Sequence, residues 1–274
     1  MLSRTLYSPG LLSTTSIGML IALILLIIAL SLFYYTFIQT IEPFISDKKA
    51  IVIIEPREHK NLEAVINNFD KNMPPDWDLY VFYGKSGRNY AVNASAKVKD
   101  RTKYLLPLDT DNLTADEYNE LLKKATFWNR IDAETILVFQ TDAVLCDKSD
   151  FDIDEFIKYD YIGCSANNIS IGYDTTWKNE NFYGIGGLSL RKKSFMLKCI
   201  ADNPTINKNF PEDVFYSNCV SKSDNRPESA EVLSKFCSQY EYRNNSFGVH
   251  KPSQMGREDF EKFLQYCPDT ISAL

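Results

Sequence analysis

The sequence predicts an α/β domain with a largely parallel sheet flanked by helices, carried behind one membrane-spanning helix. Three observations predict it. Residues 5–41 contain no charged side chain, and 17–38 (IGMLIALILLIIALSLFYYTFI) is almost wholly apolar. From residue 50 onward, short apolar runs alternate with stretches whose apolar residues fall at helical spacing, as in strands buried on both faces between helices. The 274 residues are 45% hydrophobic and 24% charged, enough for one sizeable core.

The apolar run comes first. At about 1.5 Å per residue it spans roughly 33 Å, against about 30 Å for a bilayer's hydrocarbon core. Tyr34 and Tyr35 fall near its end, where amphipathic rings favour the interface. A cleaved leader is the competing assignment. The run exceeds the roughly 7–15 residues of such a leader, and SLFYYTFIQT offers no small-residue cleavage site. The expected organisation is a tail (1–16), a signal-anchor (17–38), a polar stem (39–49) and a domain (50–274). Arg4 before the span and Lys48, Lys49, Glu42 and Asp47 after it give the positive-inside rule little to work with. A single-pass type II protein facing the ER or Golgi lumen is the default for this architecture. Asn93, Asn112, Asn168 and Asn244 head glycosylation triplets in that setting. A net charge of −6 without a basic tract excludes nucleic acid as the natural partner.

The elements follow in order. AIVIIEP (50–56) reads as a buried strand, and 59–69 as a helix with Leu62, Val65, Ile66 and Phe69 on one stripe, ended by Pro74-Pro75. WDLYVFYG (77–84) and TKYLLPL (102–108) read as two further strands. Thr114-Ala115-Asp116-Glu117 is a capping box, opening a helix whose stripe runs from Tyr118 to Trp128. Next, in ETILVFQTDAVLCD (134–147), the strand Ile136 to Phe139 stops at Gln140-Thr141-Asp142. Parallel sheets bind ligands beyond their strands' C-terminal ends, which is where Glu55, Gly84 and Asp142 fall. The second half is less regular: a strand-like YDYIG (159–163), a polar loop to Asn181, and a glycine turn entering a strand in FYGIGGLSLR (182–191). A helix is expected near 193–200, another from Pro211-Glu212-Asp213, and an extended end in SFGVHKP (246–252). The six cysteines form no CxxC, which argues against structural zinc; disulfides and buried thiols both remain open.

The ordered set FQTD, YDYIG, GGLSLR, PEDVFYS and FGVHKP, with IIEPREHKNLEAVI before it, resembles an uncharacterised family of GT-A-like (Rossmann-like) glycosyltransferase domains over about residues 50–252. It is more distantly similar to beta-1,3-type galactosyl- and N-acetylglucosaminyltransferases. The resemblance implies transfer of a sugar from a nucleotide-sugar, UDP-linked by preference, to a glycan or protein hydroxyl. It implies Asp142 and His250 as ligands of Mn²⁺ or Mg²⁺, a hard cation suited to oxygen donors and, for Mn²⁺, to imidazole. Gln140 stands where the family pattern has its first Asp, one negative charge fewer. By the same resemblance Asp213 is the base that takes the acceptor's proton and Glu212 positions the acceptor; acidic residues in a first helical turn also simply favour the helix dipole. Thr141, Gly186 and Gly187 would line the donor site, and Glu55 with Arg57 would face the nucleotide, where Arg suits phosphate. Ile185 and Ser165-Ala166 depart from the family's usual Asn and Pro-Trp, so sugar specificity does not carry over.

Two motif readings fail. Asp150-x-Asp152-x-Asp154 lacks the Gly and Glu that an EF-hand needs, having Glu155 and Tyr161 instead. Val144 removes the second carboxylate of a phosphatase-type DxD. The competing function is a GT-like carbohydrate-binding or scaffolding protein without catalysis, and Gln140 is the feature that favours it.

Overall fold

The computed structural model describes residues 14–40, 48–165, 182–204, 210–243 and 245–273. The chain divides into two compact units, Met1–Ile45 and Ser46–Leu274. The first holds helix α1 (Thr14–Thr40), 27 residues without an acidic first turn or a basic last turn. Its described side chains, at 18–19 and 21–33, are all exposed. Counting only residues described in this way, no helix is long and apolar enough to cross a membrane.

The second unit runs β1 (Lys49–Glu55), α2 (Leu62–Asn72), β2 (Trp77–Tyr83), α3 (Arg88–Ala94), β3 (Lys103–Pro107), α4 (Ala115–Leu122), α5 (Ala125–Trp128), β4 (Thr135–Phe139) and β5 (Ala143–Leu145). It continues with β6 (Tyr161–Cys164), β7 (Ile185–Lys192), α6 (Lys193–Asp202), α7 (Glu212–Val220), α8 (Ala230–Phe236), β8 (Cys237–Ser238), β9 (Gly248–His250) and α9 (Arg257–Tyr266). The main sheet has the order β3-β2-β1-β4-β7-β6. Its first four strands are parallel, and β7 is antiparallel to both β4 and β6. A small second sheet has the order β5-β9-β8.

Alternation explains the unbroken apolar strands, since successive side chains point to opposite faces. Ile51, Ile53, Leu79, Val81, Leu137 and Phe139 pack with Leu62, Val65, Ile66 and Phe69 of α2. Their neighbours Val52, Ile54, Phe82, Ile136 and Val138 pack on the other face with Trp128, Met196, Phe215 and Tyr216. The sheet is covered on both sides, so neither face needs polar residues. A third cluster, with Val144, Val249 and Phe263, joins the small sheet to α9.

Several expectations are corrected. The helix begun at Thr114 has its capping box but does not reach Trp128 unbroken. Lys124 turns to an extended backbone (φ −105°, ψ 126°). The Leu122 carbonyl accepts instead from Trp128 Nε1 at 2.7 Å and Tyr216 Oη at 2.6 Å. Side-chain donors replace the next helical turn. The helix expected at 59–69 is shifted to 62–72, and Met73, preceding Pro74, is extended as pre-proline residues prefer. Of the cysteines, Cys146–Cys267 and Cys164–Cys237 are disulfides, while Cys199 and Cys219 are not bonded. Asn93 and Asn112 are exposed, whereas Asn168, Asn244 and most of the polar loop lie outside the described residues.

Candidate functional site

At the end of β4 the chain makes a tight turn: Gln140 N–H donates to the Gly187 carbonyl at 2.9 Å, and Ala143 N–H to the Gln140 carbonyl at 3.1 Å. Residue 143 then leaves the main sheet and pairs with β9, in the register Ala143↔His250. That register sets His250 beside Asp142, and the Asp142 carbonyl accepts from Lys251 N–H at 2.9 Å. His250 Nε2 lies 3.2 Å from Asp142 Oδ1 and 3.1 Å from Gln140 Oε1, and its Nδ1 lies 2.7 Å from Gln239 Oε1.

Burial pulls the His250 pKa down, more than the Asp142 carboxylate raises it, which favours neutral imidazole. The Asp142 pKa lies below the ordinary value, against the upward push of burial, so it is a carboxylate. We assign the His250 proton to Nδ1, donated to Gln239 Oε1. The Nε2 lone pair, Asp142 Oδ1 and Gln140 Oε1 then converge with no donor among them. Asp142 Oδ1 is buried without a hydrogen-bond partner among the described residues, and with the proton on Nδ1 the His250 Nε2 at 3.2 Å donates nothing to it. Three convergent acceptors, one of them an orphaned buried carboxylate oxygen, fit a cation. Among the described residues no group of three or more His, Cys, Asp and Glu is gathered; here an amide oxygen takes the third place.

Gly187 is obligatory for packing. A Cβ there would collide with Cε1 and Nε2 of the His250 ring. Gly187→Ala is expected to cost about 1–3 kcal/mol as the buried ring is displaced. This is measured as a drop of several degrees in thermal unfolding of the purified protein.

The opposite wall is the start of α7. Asp213 is half-buried, with Oδ2 accepting from Gly186 N–H at 3.3 Å and Oδ1 from Val214 N–H at 2.8 Å. Burial first, then the Glu212 charge, raises its pKa to about 6 against the pull of those amides. Glu212 is buried and gripped by Arg191, whose Nη1 and Nη2 donate to its two oxygens at 2.6 and 2.9 Å. Arg191 is wholly buried and also donates from Nη2 to the Gly186 carbonyl (3.3 Å) and from Nε to Ser189 Oγ (2.9 Å). Its guanidinium lies 5.2–5.7 Å from the ring centres of Tyr161, Tyr216 and Trp128.

At the end of β1, buried Glu55 accepts from Arg57 Nε and Nη2, each at 2.8 Å, and from Arg57 N–H at 3.0 Å. The expected nucleotide-facing pair is thus an ion pair with one face of the exposed guanidinium still open. Glu55, Arg57, Thr141, Asp142, Gly186, Gly187, Glu212, Asp213 and His250 all line one cavity of about 370 Å³. Every site residue expected from the sequence therefore meets in one place. Sequence reasoning missed Arg191, Gln239 and Tyr118, whose buried hydroxyl in this cavity lacks a well-aligned partner. A larger cavity of about 720 Å³, between α6 and α7, holds none of the expected residues.

No curated protein matches this sequence. Among solved structures the chain is similar to the apo form of the glycosyltransferase GlyE of Streptococcus pneumoniae TIGR4, at 8% identity and TM-score 0.46, over 82% of this chain and 62% of that one. A second GlyE structure gives 9% and 0.45 over the same shares. The apo bifunctional glycosyltransferase WbbM gives 12% and 0.48, over 85% of this chain and 52% of that one. The chain spans less than two thirds of the length of each. Residues 105–250 match the family described as protein of unknown function (DUF5672). With more than half its length inside that match, and both walls of the cavity within it, the chain belongs to the DUF5672 family.

Proposed function

We propose that this chain is a membrane-anchored glycosyltransferase of GT-A-like fold, moving a sugar from a nucleotide-sugar, UDP-linked by preference, to a glycan or protein hydroxyl with the help of Mn²⁺ or Mg²⁺. The observation that carries the proposal is the cavity itself, with three convergent acceptors on one wall and a carboxylate of raised pKa on the other. Asp142, His250 and Gln140 would hold the cation, and Gln239 fixes the imidazole so that Nε2 faces it. When bound, the cation neutralises charge on the departing diphosphate. Arg57, already oriented by Glu55, offers its remaining N–H groups to phosphate. Asp213 takes the proton of the acceptor hydroxyl, while Glu212, immobilised by Arg191, orients that acceptor. Gly186 and Gly187 let the backbone approach the ligand, and buried Thr141 lines the donor side.

The anchor is α1. Its 27 residues extend roughly 40 Å at about 1.5 Å per residue, enough for a hydrocarbon core of about 30 Å. A type II protein facing the ER or Golgi lumen is the setting that suits two disulfides.

The test is titration of UDP into the purified full-length protein, with Mn²⁺ and with chelator. Binding is expected to need Mn²⁺ and to vanish in Asp142→Ala and His250→Ala. A folded protein that binds neither UDP, GDP nor CDP would instead be a non-catalytic scaffold or carbohydrate-binding protein.

A further inference from the structure

The larger cavity contains chemistry unrelated to the site above. Cys199 on α6 and Cys219 on α7 both line it and are the sulfur-bearing residues among the described residues of its lining. Asn203 clamps the pair, its Nδ2 donating to Cys219 Sγ at 3.5 Å and to the Cys199 carbonyl at 3.0 Å. Cys199 is buried, whereas Cys219 is partly open to the cavity. The neighbouring Cys199 thiol leads in lowering the Cys219 pKa, burial opposes it, and Lys222 assists. Burial, foremost, raises Cys199. One thiol is thus accessible and readily ionised while its neighbour is held in reserve, the arrangement of an attacking and a resolving cysteine. A cavity of about 720 Å³ admits a ligand of tripeptide size; Lys198 on its lining is paired with Asp202 at 2.8 Å, Asp160 and Asp224 also line it, and Lys222 is the cation placed to meet a ligand carboxylate.

We propose that Cys199 and Cys219 are a redox-active dithiol, oxidised to an intramolecular disulfide by a small peptide disulfide of the glutathione type that enters this cavity. Cys219 thiolate attacks one sulfur of the reagent, whose S–S bond breaks and releases one thiolate that takes up a proton. Cys199 then gives up its proton and attacks Cys219 Sγ, expelling the second thiol. Two protein thiols lose two electrons, and one disulfide is reduced to two thiols. The new bond ties α6 to the far end of α7, the helix whose first turn carries Glu212 and Asp213.

The full-length protein in detergent is equilibrated with graded ratios of reduced to oxidised glutathione, acid-quenched, alkylated and mapped by mass spectrometry. A peptide cross-linked through Cys199 and Cys219 is expected to grow as the buffer becomes more oxidising. Cys199→Ser should trap glutathione on Cys219, and Cys219→Ser should leave Cys199 without an adduct. Asn203→Ala keeps both thiols and should slow adduct formation at Cys219 several-fold, with its thermal unfolding followed to confirm a folded protein. Full alkylation of both wild-type thiols in the most oxidising buffer would overturn the proposal. So would an adduct on Cys199 in Cys219→Ser.

Discussion

Arg191→Met is expected to lower stability by about 3–5 kcal/mol, the usual cost of removing one partner of a buried ion pair. The substitution keeps most of the side chain's length but strips Glu212 of both charge-assisted hydrogen bonds while leaving it buried. It also removes the donor to the Gly186 carbonyl and the cation among three rings. For a unit of this size that is roughly 10 °C in thermal unfolding, read from intrinsic tryptophan fluorescence. Arg191→Lys should recover only part of it, because an ammonium cannot span two carboxylate oxygens. Adding Glu212→Leu to Arg191→Met should restore much of the loss, since the uncompensated charge goes too. A single variant as stable as wild type would show that Glu212 is not held as described.

Asp213→Asn should do the opposite to stability while removing activity. Burial and the Glu212 charge raise the Asp213 pKa to about 6, above the ordinary 3.8. A carboxyl raised on folding stabilises the folded state fully below its unfolded pKa and loses that contribution as pH rises through the folded one. Ionised Asp213 is therefore a burden above about pH 6. The amide should raise stability at pH 8 by on the order of 2 kcal/mol and change little at pH 4. Transfer by the same variant should fall about 10²–10⁴-fold, the range for loss of a general base. In wild type, kcat/KM should decline tenfold per pH unit below about 6. An unchanged acid limb in the variant would remove Asp213 from the proton-transfer role.

The fold was legible where burial leaves a local trace. The strands at 49–55, 77–83 and 135–139 are apolar through their middles because the sheet is covered on both faces, with Lys49, Asp78 and Thr135 confined to their first two positions. Asp142 and His250 each stood out as polar residues at strand ends, but only the β5–β9 register brings them together. Arg191 left no trace. A cation at the end of GGLSLR reads as a strand's solvent end, and its three aromatic neighbours come from three separate segments. Gln239 was invisible for the same reason, being a contact across 11 residues and two strands. Gln140 read as a lost charge, yet its side-chain oxygen faces His250. The break after Leu122 was hidden because its carbonyl is claimed by a tyrosine 94 residues away.

The pairing of β5 with β9 also sets a clock. Gln140 and His250 are 110 positions apart, and β9 is the last strand among the described residues. The parallel half of the main sheet, β3-β2-β1-β4, is complete in sequence by Phe139. At about 5–20 residues per second of synthesis, roughly 5–20 s separate the end of that sheet from the emergence of His250. Throughout that interval the nascent chain has the parallel half of its main sheet but no His250, so the Asp142–His250 pair cannot form until β9 docks beside β5.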